Sequence, residues 1–140
     1  MSARIFIDAN ILIDLLTDRE PFASDAALLF EQIAAGNVHG CTSANCLANV
    51  YYVLSSAAKQ RNVREKIGEL MRLLEVVPTD GEILSKALSS DFRDCEDAIQ
   101  YYSALECDAR YIVTRNPKDF KKSRLRVVDA REMGEIVRSG

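Results

Sequence analysis

Arg4-Ile5-Phe6-Ile7-Asp8-Ala9-Asn10-Ile11-Leu12 opens with a short apolar run that stops on a carboxylate. Arg4 to Asp8 reads as a strand. Its apolar residues run together without polar alternation, as they do where both faces of a strand are covered. Four further runs have this character: Val38 to Thr42, Leu74 to Pro78, Tyr111 to Thr114 and Leu125 to Val128. Helical spacing fills the intervals. Phe22, Ala26, Leu29, Phe30 and Ile33 recur at three and four, and so do Val63, Ile67, Leu70, Met71 and Leu74. Ala98, Tyr102 and Leu105 mark another stripe, and Met133 with Val137 a last one. The helix after the second strand spans Ala44 to Ala58, with Ser43 as its N-cap. Pro21 suits a first helical turn and Gly36 a helix stop. Pro117 marks a loop beyond the fourth strand.

Alternating strands and helices predict an α/β fold, a parallel sheet with helices on both faces. No linker, repeat or low-complexity stretch divides residues 1–140, so one domain is expected. Apolar residues are 48% and charged residues 28%, an ordinary balance for a soluble globular protein. No apolar run approaches the ~20 residues of a membrane span. The opening residues lack the form of a secretory signal, which makes the cytoplasm the expected compartment.

Cys41, Cys46, Cys95 and Cys107 form no C-x-x-C pair, and His39 is the single histidine. Free, largely buried thiols and a structural histidine are expected, not a zinc site. No G-x-S-x-G elbow supports a serine nucleophile. A net charge of −3 and a pI near 5.2 argue against a broad basic face that grips nucleic acid. They leave open an enzyme that meets phosphates through metal ions.

Topology gives the acids a meeting place. In a parallel sheet the crossover helices begin at the carboxyl edge, so strand ends and first helical turns share one rim, where such folds bind ligands. Asp8 ends the first strand. Asp94 and Asp97, three apart, begin the helix before the fourth strand. Asn49 lies in the second turn after the second strand, and Thr114, Asn116 and Asp119 follow the fourth. Two carboxylates about 5 Å apart repel by roughly 3 kcal/mol at an effective dielectric of ~20. A hard divalent cation such as Mg2+ (or Mn2+) removes that cost. Each residue taken singly has a plainer reading: Asp94 as a cap, Asp8 and Asn116 as turn formers, Asp119 as a solvated side chain. Asp14 reads as a surface residue or a partner for an arginine, and Glu96 as solvated.

These stretches resemble the motifs of the PIN-domain nucleases. Ile7-Asp8-Ala9-Asn10-Ile11-Leu12 is similar to the family's opening strand and turn, and Asp94-Cys95-Glu96-Asp97 to its acidic helix start. Thr114-Arg115-Asn116-Pro117-Lys118-Asp119-Phe120 resembles the loop after its fourth strand, and Thr42-Ser43 with Ala48-Asn49-Val50 its second block. The blocks stand in family order, and the small bacterial VapC-like toxins look most similar. The resemblance implies a three-layer α/β/α sandwich around a five-stranded parallel sheet of order 3-2-1-4-5. It further implies a Mg2+- or Mn2+-dependent endoribonuclease acting on single-stranded RNA, the toxin of a toxin–antitoxin pair, held by a small antitoxin protein and forming a homodimer.

On that resemblance Asp8, Asp94 and Asp97 are the expected metal ligands. Asn49 and Asn116 would complete the shell or position water, and Thr114 would hydrogen-bond a ligand or the scissile phosphate. Arg115 and Lys118 would hold flanking phosphates. Lys121, Lys122, Arg124 and Arg126 form a basic stretch that guides the strand or is merely solvated. The family's usual acids are replaced by Asn49 and Asn116, with Asp119 as a substitute for the latter. That departure motivates a rival expectation, a catalytically weakened PIN-like module that binds RNA or protein. A phosphotransfer or receiver domain is the third class considered. It wants D-x-D, or an acidic pair with a phosphoacceptor ending the third strand, and Asp8-Ala9-Asn10 and Val76-Val77-Pro78-Thr79-Asp80 supply neither.

Overall fold

Short buried strands and capped helices alternate along the chain. The structure, a computed structural model, describes residues 3–56 and 61–140. Its elements are β1 (Arg4–Ile7), α1 (Ala9–Leu16), α2 (Phe22–Ala34), β2 (His39–Ser43), α3 (Ala44–Ser56) and α4 (Val63–Leu73). Then come β3 (Glu75–Val77), α5 (Gly81–Leu88), α6 (Cys95–Glu106), β4 (Tyr111–Val113), a 3-10 turn (Pro117–Phe120), β5 (Arg126–Val128) and α7 (Ala130–Ser139).

The five strands pair in parallel in the order β3-β2-β1-β4-β5, as the resemblance implied. β1 is central, with Phe6 between Cys41 of β2 and Ile112 of β4, and Ile5, Phe6 and Ile7 are fully buried. Right-handed crossovers put α1, α2, α3 and α4 in one layer and α5 with α6 in the other, and α7 packs on α2 in the first. The result is the three-layer sandwich expected. The path reverses direction between β1 and β4, so the switch point lies where those strands end.

Each helix start at this edge is fixed by a local cap. Ser43 accepts from the Cys46 amide at 2.9 Å, the N-cap expected for α3. Asp80 accepts from Ile83 at 3.0 Å and starts α5, a helix the spacing had not marked. Gly36 adopts φ 81° just past α2, the left-handed stop that glycine permits. The expected extension of α3 to Ala57 and Ala58 lies outside the described residues.

Two apolar stripes differ from expectation. Met71 is 53% exposed and Leu105 40% exposed. The buried face of α6 is instead Ala98, Tyr101 and Ala104, with Gln100 and Ser103. A three- and four-residue spacing fits either of two neighbouring helix faces. The face that packs here is the one with small residues, which let α6 approach the sheet closely. Three thiols are buried and Cys95 is half-buried, all four free. Among the described residues no helix is long and apolar enough to cross a membrane.

Candidate active site

Asp8 stands one residue past β1 and caps α1. Its Oδ1 accepts from the Ala9 amide at 2.8 Å and its Oδ2 from the Thr114 hydroxyl at 2.9 Å. The Asp8 amide donates to the Val113 carbonyl at 3.0 Å, which ties the ends of β1 and β4 together. Thr114 is fully buried, and its hydroxyl also accepts from Asn10 Nδ2 at 3.3 Å and from the Asn116 amide at 3.2 Å. Asn10 Oδ1 takes the Arg115 amide at 3.2 Å. Asn10 had been given no role from sequence, yet it laces α1 to the loop after β4. Its place two residues after Asp8 was the available signal.

The second acidic arm is the start of α6. Asp94 caps the helix by accepting from the Glu96 amide at 2.8 Å, so its capping and rim readings coincide. Asp97 lies in the first turn. Buried Gln100 fixes this end of α6, accepting from the Ser43 hydroxyl at 3.1 Å and so linking α6 to the β2–α3 junction. Sequence reasoning missed Gln100. The signal was a lone amide on the face that faces the sheet.

The electrostatics show that the acids meet. Burial pushes the Asp97 carboxyl up to about 7, and Asp94, Asp119, Asp8 and Glu96 push it in the same direction. Asp8 is raised above the usual carboxylate range, first by burial and then by Glu96 and Asp119. Its hydrogen bonds from Thr114 and Ala9 resist that rise. Carboxylates from β1, α6 and the 3-10 turn thus share one field. Glu96 is exposed, as expected, but contributes to it.

The donor set is oxygen only, which suits a hard cation. Among the described residues no three histidine, cysteine or acidic side chains crowd into a single coordination shell. Asn49 is half-buried in the second turn of α3. Asn116 is exposed at the start of the 3-10 turn, where its side chain makes no capping bond. Asp119 is exposed, as the plainer reading held, but it lines a cleft of about 810 Å³ with Asp94, Asp97 and Lys118.

Arg115, expected to hold a flanking phosphate, lies against a carboxylate in this structure. Its Nε lies 2.9 Å from Asp14 Oδ2, and its guanidinium sits 4.9 Å from the Phe22 ring centre. Asp14 is 0% exposed, so of its two sequence readings the arginine partner holds and the surface one does not. Burial raises its carboxyl above the usual range despite the pull of Arg115 and Arg19. The clue was there to read: Asp14 is the only charge in the helix Ala-Asn-Ile-Leu-Ile-Asp-Leu-Leu.

Comparison with known proteins agrees with this fold. The PIN domain profile matches residues 4–118. The chain is 27% identical over 139 residues to Ribonuclease VapC1 of Aquifex aeolicus (strain VF5), covering 96% of this chain and 95% of that protein. Its fold is similar to a chain of the DNA-bound VapBC structure from Salmonella typhimurium, with TM-score 0.68, 15% identity, and 91% and 98% of the two chains covered. It is also similar to a chain of a toxin–antitoxin complex from Klebsiella pneumoniae, with TM-score 0.65, 22% identity, and 92% and 98% covered.

Proposed function

This chain belongs to the PIN domain family, and from that premise we propose that it is a metal-dependent endoribonuclease that cuts single-stranded RNA. The observation that supports this most is the raised Asp97 carboxyl, held among Asp94, Asp119 and Asp8 at the β1/β4 switch point. A fold stabilised only for its own sake gains nothing from gathering like charges there. The similarity to Ribonuclease VapC1 supports the nuclease reading. The VapBC-type neighbours support a role as the toxin of a pair, with a small antitoxin protein as partner. A homodimer working in the cytoplasm completes the proposal.

Asp8 and Asp97 would hold Mg2+ or Mn2+, with Asp94, Asp119 and Asn49 contributing directly or through water. Bound there, the ion supplies polarisation of a phosphate oxygen and a lower pKa for water. Thr114 keeps one oxygen of Asp8 engaged and opposes the rise of its carboxyl, while the other oxygen accepts from the Ala9 amide. Asn116, exposed at the rim, orients the attacking water by its amide. Lys118 faces the cleft and holds a phosphate of the strand. Arg115 acts from behind, as the inward anchor of the loop that carries Thr114 and Asn116.

A second reading, a PIN-like module that binds RNA or protein without cutting, draws on the uncharged Asn49 and Asn116. One experiment separates the two. A mixed RNA pool is incubated with the protein in millimolar Mn2+, with EDTA, and with the Asp8→Asn variant. Cleavage in the first arm alone supports the nuclease. Intact RNA in all three arms, with no shift of melting temperature on adding Mn2+, supports the binding module.

A further inference from the structure

The cleft that Asp97 lines carries acids and cations together. Arg93, from the segment before α6, lines it, as do Lys118 in the 3-10 turn and Lys121 and Lys122 just past it. All four side chains are exposed, and none forms an ion pair among the described residues. Other cations of the same stretch are engaged. Arg115 is paired with Asp14, and Arg126 reaches Glu132 at 2.9 Å and lies over the Tyr111 ring. In a chain of net charge −3, cations with no ion pair among the described residues line the same cleft as Asp94, Asp97 and Asp119. Their charge is not spent in salt bridges, so it is available to an outside polyanion.

An aromatic group also lines the cleft. Phe92 borders the cleft and is packed from behind by Tyr101 at 5.1 Å and Phe120 at 6.4 Å between ring centres. The ring is therefore held in place rather than free to swing. Fixed aromatic rings set among cations are how proteins hold single strands: charge tracks the phosphates and a ring stacks on a base.

We propose that this cleft is the track along which the RNA strand leaves the cutting site, with Arg93, Lys121 and Lys122 each neutralising a backbone phosphate and Phe92 stacking on a base. The track rests on the nuclease reading for the identity of its strand, and it adds a binding route to one side of the acids. It separates the basic stretch read from sequence into two parts: Lys121 and Lys122 belong to the track, and Arg126 does not.

The test is fluorescence anisotropy with a labelled 12-nucleotide single-stranded RNA, in EDTA so that nothing is cut, from 25 to 200 mM salt. Single strands lose about 0.7 in the slope of log affinity against log salt for each phosphate contact removed. The triple variant Arg93→Ala/Lys121→Ala/Lys122→Ala is expected to flatten the slope by about 2. Phe92→Leu is expected to weaken binding about 5- to 100-fold with the slope unchanged. Arg131→Ala/Lys86→Ala, two cations outside the cleft, serves as the control and keeps the parent slope. A triple variant with the parent's slope, a control that flattens as much, or a parent that leaves the anisotropy flat at 25 mM salt overturns the track. If the triple variant keeps its slope while the parent still cuts RNA in Mn2+, the track fails and the nuclease stands. If the slope flattens as expected while no RNA is cut, the nuclease reading fails and the cleft stands only as a binding groove for a single strand, not as an exit from a cutting site.

Discussion

Replacing Arg115 by methionine tests the inward anchor most directly. The guanidinium is 2.9 Å from a carboxylate that is 0% exposed, whereas Arg115 itself keeps 24% of its side-chain surface in contact with water. At an effective dielectric of ~20 the attraction is on the order of 6 kcal/mol. Burial of Asp14 opposes it and prevails, because the Asp14 carboxyl is raised and not lowered. The intact pair is thus close to neutral for stability, but breaking it from the arginine side strands a buried charge. Such a break costs about 3–5 kcal/mol, a large share of the ~5–15 kcal/mol by which domains of this size are stable. The reverse break, Asp14→Leu, should cost less, since Arg115 can turn outward to water. The double variant Asp14→Leu/Arg115→Met should return to within about 1 kcal/mol of the parent. Urea unfolding at pH 7.5 measures all four proteins. The pH dependence supplies a second check. A folded-state pKa above the unfolded value means that the stability tied to Asp14 is complete below about 3.9 and is lost as pH rises through the folded value. The deficit of Arg115→Met is therefore greater at pH 8 than at pH 5. An Arg115→Met variant within 1 kcal/mol of the parent at pH 8 would refute the reasoning.

The same sign applies to Asp97. Its carboxyl is raised to about 7 from 3.8, so the metal-free protein is more stable near pH 5 than pH 8, and the change falls between about 4 and 7. Asp97→Asn should flatten that profile, raise metal-free stability at pH 8 by on the order of 2 kcal/mol after allowance for solvent screening, and abolish cleavage; thermal melts with RNA cleavage measure both. Adding Mn2+ or Mg2+ at 100 times its dissociation constant should stabilise the parent by about 2.7 kcal/mol, an effect reversed by EDTA and absent in Asp8→Asn/Asp97→Asn. Thr114→Val removes the hydroxyl that serves Asp8, Asn10 and the Asn116 amide, and should cost about 2–3 kcal/mol in urea unfolding. Loss of that bond also raises the Asp8 carboxyl further, which a carboxylate NMR titration would follow.

Local chemistry was what the chain declared openly. Runs such as Arg4 to Asp8 and Tyr111 to Thr114 are too short and too apolar for an exposed hairpin, so a parallel sheet and its carboxyl rim follow from them. Ser43 and Asp94 announce themselves as caps because a cap bonds to an amide within three residues. The convergence of acids at that rim follows from strand order and helix direction, and needs no side-chain detail.

Tertiary structure decided what depends on which distant face meets which. Asp14 stands out in sequence only as the lone charge of an apolar helix, and Arg115 not at all; the packing of α1 and α2 against the loop after β4 is what buries one and turns the other inward. Gln100 and Ser43 find each other for the same reason, across two elements that share no local pattern. The spacing of α6 allowed either of two faces inward, and contact with the sheet chose the one with Ala98, Tyr101 and Ala104. Periodicity and capping act within one or two turns, so they write the elements and their ends. The pairing of buried charges and the exposure of Arg93, Lys121 and Lys122 around one cleft arise from contacts far apart in the chain, which no local pattern encodes.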